Sequence, residues 1–213
     1  MNIKVHTFTF NPFEENTYIL SAPSGECIII DPGCFDPEER TALKTFVRDN
    51  QLTPVRLINT HGHSDHMLGN AFVSGEYTLG LEIHEGELPV LQASKMVAGM
   101  YDIPYEQSPM PDSFLSDGDE VILDGHVLRV LYTPGHSPAS ICLYNKADGW
   151  VIGGDVLFYE SIGRTDLPGG NHSTLIQSIR TQLLTLPNET VVYPGHGPHT
   201  TVGYERMFNP FLQ

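Results

Sequence analysis

Apolar residues recur along this chain in short runs, and their period changes from run to run. Across residues 3–10 they alternate with polar ones, which predicts a strand with one buried face. Asn11-Pro12 turns the chain, an extended run resumes over 17–20, and Gly25-Glu26 turns it again. Cys27-Ile28-Ile29-Ile30 is continuously apolar, as in a strand buried on both faces, and Asp31-Pro32-Gly33 stops it. A helix is expected next. Asp36 suits the N-cap, Pro37 the first helical position, and Glu38 and Glu39 the first turn. Leu43, Phe46 and Val47 recur at helical spacing, and Asn50 ends the helix. The extended run 55–60 follows, and this strand–helix–strand order favours an α/β class.

Further on, residues 67–72 predict a short helix, 79–84 a strand, and 85–100 a helix with Pro89 near its start and Gly99 near its end. Residues 101–117 carry Pro104, Pro109 and Pro111 and read as an irregular loop of the kind that shapes access to a site. Val121-Ile122-Leu123 and residues 126–132 predict a hairpin around Asp124-Gly125. Strands are expected over 140–144 and 150–153. A helix is expected over 174–186, with Leu175, Ile176, Ile179 and Leu183 on one side, and Val191-Val192-Tyr193 is the last strand.

Four of these strands end in metal-binding side chains beside glycine: His61 with its neighbours, His136, Asp155 and His196. The richest stretch is Thr60-His61-Gly62-His63-Ser64-Asp65-His66. In extended chain, residues two apart point the same way, so His61 and His63 face one metal together. Ser64 is placed to cap a helix starting near Asp65, a turn that would swing Asp65 and His66 to the other side of that metal. The inventory is five histidines and two aspartates. Seven protein ligands with one bridging carboxylate satisfy two tetrahedral zinc centres, the logic of a two-metal hydrolase. Asp31 either shapes its turn or hydrogen-bonds to the metal loop.

Charge narrows the partners. Over 213 residues the chain carries 26 acidic and 11 basic residues, a net charge of −15. Two divalent metals offset about four of those charges. The acidic remainder argues against nucleic acid or an anionic membrane as partner and leaves a small-molecule substrate. At 40% hydrophobic residues, the length fits a single domain over 1–213. Cys27, Cys34 and Cys142 form no C-x-x-C pair and suit a reducing cytosol, with Cys27 and Cys142 in the core and Cys34 half exposed. No signal peptide or membrane helix is evident, so a cytoplasmic location is expected.

These motifs together resemble a known family. T-H-x-H-x-D-H, the later G-H-S-P, the G-G-D and the P-G-H-G look like the metallo-β-lactamase fold. The match is nearest to its short, single-domain glyoxalase II-like (hydroxyacylglutathione hydrolase-like) branch. Gly163-Arg164-Thr165-Asp166 and the tail from Gly203 to Leu212 are the segments most specific to that branch. The resemblance implies a four-layer αββα sandwich with the metal site at one edge. It further implies His61, His63 and His136 on a first metal, Asp65, His66 and His196 on a second, and Asp155 bridging. The metals would be zinc, with iron or manganese tolerated. The implied reaction is thioester hydrolysis by a metal-bridging hydroxide that Asp65 orients, with S-D-lactoylglutathione the usual substrate. Full-length glyoxalase II enzymes grip glutathione with a C-terminal helical domain, and this chain is expected to have none. Arg164 is then a candidate substrate contact, unless it pairs with Asp166 to stiffen its loop. His172 and His199 flank site motifs and are candidate supports.

Rival readings share the motifs. A lactonase would use the same dinuclear site. Persulfide dioxygenases resemble this chain in H-x-H-x-D-H and G-R-T-D but bind one iron, through the residues matching His61, His136 and Asp155. A β-lactamase is disfavoured, because Asp155 stands where such enzymes commonly place cysteine. A purely structural metal is disfavoured because no cysteine lies in any of these motifs.

Overall fold

The computed structural model describes residues 2–100 and 103–213. Strands β1 (Lys4–Phe10), β2 (Glu15–Ser21) and β3 (Glu26–Ile30) form an antiparallel meander. Helix α1 (Pro37–Asp49) then carries the chain to β4 (Thr53–Ile58), which runs parallel to β3. Asp36 caps α1 by accepting the Glu39 N–H at 2.8 Å, with Pro37 opening the first turn. Helix α2 (Asn70–Tyr77), β5 (Leu81–Ile83), α3 (Leu88–Met100) and β6 (Pro111–Phe114) complete the first half. Its sheet has the order β1-β2-β3-β4-β5-β6.

The second half holds β7 (Glu120–Leu123), β8 (His126–Tyr132), β9 (Ile141–Asn145) and β10 (Trp150–Gly154). A two-stranded ribbon, β11 (Leu157–Phe158) and β12 (Ser161–Ile162), follows. Helix α4 (His172–Ser178) runs on as a π-helical turn over Ile179–Leu183, and β13 (Val191–Pro194), β14 (Thr200–Thr201) and α5 (Val202–Phe208) end the chain. This sheet has the order β14-β13-β10-β9-β8-β7, with β10 and β13 parallel.

Strand alternation sorts the core into three layers. Ile28 and Ile30 of β3 face Val130, Ile141, Leu143 and Ile152 of the other sheet. Their neighbours Cys27 and Ile29 turn the other way, onto Leu43 and Val47 of α1 and Leu91 of α3. Cys142 and Val151 likewise turn outward, onto Leu175, Ile179 and Val202. A strand buried on both faces must be apolar at every position, which explains the unbroken runs in β3 and β9. The result is helix, sheet, sheet, helix, the αββα sandwich that the family resemblance implies. Among the described residues no helix is long and apolar enough to cross a membrane.

Several expectations need correction. No helix begins at Asp65. Ser64–His66 is a single 3-10 turn without a side-chain cap, closed by Met67 N–H to the Ser64 carbonyl at 3.0 Å, and α2 starts only at Asn70. Cys34 is fully buried in the core beneath α1. The segment expected to be irregular contains β6, an edge strand beside β5 that tolerates Pro111 because an edge leaves one row of N–H groups unpaired. The first two residues of that segment lie outside the described residues. Of the helix expected over 174–186, only the front turns are α-helical. It begins earlier, at His172, with Asn171 accepting the Thr174 N–H at 3.0 Å.

Candidate metal centre

The ends of β4, β8, β10 and β13 meet where the two sheets face each other, and each delivers part of one cluster. The loop after β4 supplies His61, His63, Asp65 and His66. His136 follows β8, Asp155 follows β10 and His196 follows β13. Two triads result, His61–His63–His136 and Asp65–His66–His196, and within each the donor atoms lie within 4.8 Å of one another. Asp155 stands between them. Its Oδ1 is 3.4 Å from His66 Nε2, and its Oδ2 is 3.4 Å from His136 Nε2 and 3.6 Å from His196 Nε2. All seven side chains that the sequence singled out therefore converge.

The imidazoles are held in one orientation by what their other nitrogen touches. His136 Nδ1 donates to the Arg164 carbonyl at 2.8 Å and His196 Nδ1 to the Phe13 carbonyl at 3.0 Å. A carbonyl only accepts, so Nδ1 carries a proton in both, and Nε2 carries the lone pair when the ring is neutral. His66 Nδ1 lies 3.1 Å from Asp31 Oδ2. The Thr60 hydroxyl donates to the same Asp31 oxygen at 2.6 Å and meets His61 Nδ1 at 3.0 Å, which leaves that ring nitrogen the donor. The Nε2 atoms of His61, His66 and His136, and Asp155 Oδ1, are buried with no hydrogen-bond partner. Buried polar atoms without partners are costly, and one divalent cation in each triad would satisfy all four. The donor set of imidazole and carboxylate fits such cations, and the outward ring nitrogens of His61, His66, His136 and His196 are anchored as in metal sites generally.

Asp31 resolves its two readings by doing both. It adopts a left-handed turn, φ 47°, and it holds the metal loop through Thr60, Asn59 and His66. Its oxygens are occupied by these donors, so the grouping of Asp31 with His61 and His66 is a support beneath the centre. Gly195 passes so close to Asp155 that a Cβ there would collide with Oδ1 and come within 2.7 Å of His66 Cε1.

Electrostatics divide the triads. Burial, together with the neighbouring His66 and His63, pushes His61 well below the ordinary histidine range, and burial and His136 bring His63 down to about 4. Both are neutral and ready to donate a lone pair. Burial opposes charge on His66 too, but Asp155 and Asp65 overcome it and raise its pKa well above normal. Burial likewise opposes ionisation of Asp155, yet His66, His136 and His196 hold it well below the usual carboxylate range.

Two buried carboxyls escaped the sequence reading. Glu87 is fully buried and accepts Gly62 N–H at 2.9 Å, the Ser137 hydroxyl at 2.5 Å and Ala139 N–H at 2.6 Å, so it ties the His61/His63 loop to the His136 loop. Glu15 lies 3.8 Å from His66 Nδ1, and burial raises its pKa well above normal. Neither sits in a motif, and no local pattern marks either one. Arg164 lines the cleft over the centre, with Asp166 accepting from it at 2.7 and 2.9 Å. His172 is exposed at the start of α4, and exposed His199 packs near Tyr193. No hydrogen bond joins either to the centre among the described residues.

Known proteins match this chain along most of their length. A probable metallo-hydrolase of Bacillus subtilis, YqgX, is 39% identical over 94% of this chain and 93% of its own. A protein named hydroxyacylglutathione hydrolase GloC, from Haemophilus influenzae, is 34% identical over 100% of this chain and 98% of its own. Among solved structures, the B3 metallo-β-lactamase BLEG-1 superposes with a TM-score of 0.89 at 35% identity, covering 99% of this chain and 100% of that one. TTHA1623 in a di-iron-bound form gives 0.88 at 36% identity, covering 98% and 100%. ETHE1 from Myxococcus xanthus gives 0.78 at 26% identity, covering 97% and 83%. The family model of the metallo-β-lactamase superfamily matches residues 10–196, so this chain belongs to that superfamily.

Proposed function

We propose that the protein is a dinuclear metallohydrolase that cleaves thioesters, S-D-lactoylglutathione or a similar compound. The observation that carries this reading is Asp155 between two complete triads, within 3.4–3.6 Å of Nε2 atoms from both. A single-iron dioxygenase would need only His61, His136 and Asp155. A second triad with its own outward anchors favours two metals, as does the di-iron neighbour. Zinc suits the imidazole-rich donors, and iron and manganese are tolerated by the same set. The relative named hydroxyacylglutathione hydrolase, matched end to end, supports the thioester class.

Bound metals would supply Lewis acidity and a water with its pKa lowered to ~7. His61, His63 and His136 would hold one metal, Asp65, His66 and His196 the other, and Asp155 both. The Asp65 carboxylate borders the cleft, where it orients the attacking water by accepting a proton of that water in a hydrogen bond. Water oxygen bonds to the acyl carbon, the carbon–sulfur bond breaks, and a carboxylic acid and a thiol leave. The cleft of about 410 Å³ brings Phe13, Phe158, Ile162 and Leu167 around the centre and limits bulk water at the reacting atoms.

The test is hydrolysis of S-D-lactoylglutathione by the zinc-loaded protein, with Asp155→Ala as control and a β-lactam and a lactone as rival substrates. Thioester turnover that the variant loses supports the reading. Turnover of the β-lactam or the lactone alone overturns the thioester assignment.

A further inference from the structure

The cleft over the metal centre opens sideways into a second hollow of about 490 Å³. Val90, Ala93, Met96 and Met100 of α3 form one wall and Leu167 and Pro168 the other. The two hollows share His63, Ser64, Val97 and Leu167, so one trough runs from the metal ligands into an apolar lobe. No Asp, Glu, Lys or Arg lines the lobe among the described residues. Its Ser94 hydroxyl is already engaged by the Leu91 carbonyl at 2.6 Å and the Tyr105 hydroxyl at 2.7 Å. Met96 and Met100 are 63% and 71% exposed, and methionine adapts to apolar ligands of varied shape.

We infer that this lobe is a subsite for an uncharged apolar substituent of the substrate, adjoining the bond that is cleaved. The inference rests on the metallohydrolase reading above. A carboxylate tail placed there would lose its hydration and find no partner, whereas each methylene that enters gains by leaving water. The lobe borders His63 and not His196. Alkyl and acyl thioesters without charge are thus preferred to charged ones of equal size.

Two substrate series test this on the zinc-loaded protein. One lengthens the acyl chain from acetyl to octanoyl on uncharged N-acetylcysteamine. The other lengthens an alkyl thiol from methyl to hexyl on a fixed lactoyl group. In at least one series kcat/KM rises about two- to fourfold per methylene. The series that rises tells which side of the thioester enters the lobe. Ala93→Trp, which fills the lobe, and Met96→Asp, which puts a charge in it, reduce the ratio of longest to shortest substrate to below about twofold. The ratio is internal to each variant, so a general loss of activity does not imitate the effect.

Two flat series, or a ratio that survives both substitutions, overturn the lobe but not the hydrolase, provided Asp155→Ala abolishes turnover of the acetyl substrate. If no thioester is turned over, the hydrolase reading fails for this class, and calorimetry still decides the lobe. A non-hydrolysable S-octyl thioether that binds at least tenfold more tightly than its S-methyl counterpart supports it. Equal affinities overturn it.

Discussion

Thr60 donates to Asp31 twice, from its backbone N–H to Oδ1 at 2.7 Å and from its hydroxyl to Oδ2 at 2.6 Å. The hydroxyl oxygen is thereby left to accept from His61 Nδ1 at 3.0 Å. A carboxyl at the end of β3 therefore fixes a ring at the end of β4 through one fully buried side chain. Thr60→Val keeps the shape and removes the relay. Zinc affinity, read by competition with a chelator, is expected to fall about 10–100-fold, and Thr60→Ser to restore it. Unchanged affinity in the valine variant would remove Thr60 from the account.

Glu87 makes the corresponding link on the other side of the centre. Glu87→Gln turns one carboxylate oxygen into a donor that faces Ala139 N–H or the pair Gly62 N–H and Ser137 hydroxyl. A buried donor without an acceptor costs about 1–3 kcal/mol. The urea midpoint of the variant should fall accordingly. A midpoint equal to that of the parent would mean the clamp carries no stability.

Metal loading should release protons, and from one triad more than the other. The metal-free His66 and His196 have raised pKa values: burial works against their charge, but Asp155 and Asp65 favour it. His61 and His63 are already neutral near pH 7. Calorimetry of zinc binding at pH 7 in buffers of different ionisation enthalpy should report release on the order of one proton per chain. A slope of zero would contradict the proposed protonation of the second triad.

Alkaline stability follows from the thiols. Burial raises Cys27, Cys34 and Cys142 from 9.0 to about 12. Between these values the unfolded chain gives up thiol protons that the folded chain keeps. The stability these thiols contribute is therefore full below pH 9 and is lost as the pH rises toward 12. Unfolding midpoints measured from pH 8 to 11 should decline in that direction. At pH 8 a thiol-specific reagent should label none of the three in the native protein and all three in denaturant, and rapid native labelling would refute their burial.

The elements legible in the sequence are those whose pattern is local. Asp36-Pro37 marks a capped helix, the run 27–30 a doubly buried strand, and 191–193 the last long strand. The seven clustered donors are visible because they fall at four strand ends, each with a glycine close by. What stayed hidden depends on distant partners. Glu87 is an ordinary helix-start acid until Ser137 and Ala139, 50 and 52 residues away, close on it. Pro111-Asp112-Ser113-Phe114 has no strand signature of its own and becomes β6 only because β5 offers an open edge. Cys34 follows a turn, which suggests exposure, but α1 folds over it. Asp65 and His66 turn away from His61 and His63 to group with His196, through a 3-10 turn where the sequence suggests a helix.

If two metals share Asp155, elemental analysis of the reconstituted protein should count both of them. About two zinc ions per chain are expected in the parent, with Asp155→Ala falling well below that while remaining folded. One metal per chain in the parent, unchanged by the substitution, would contradict it.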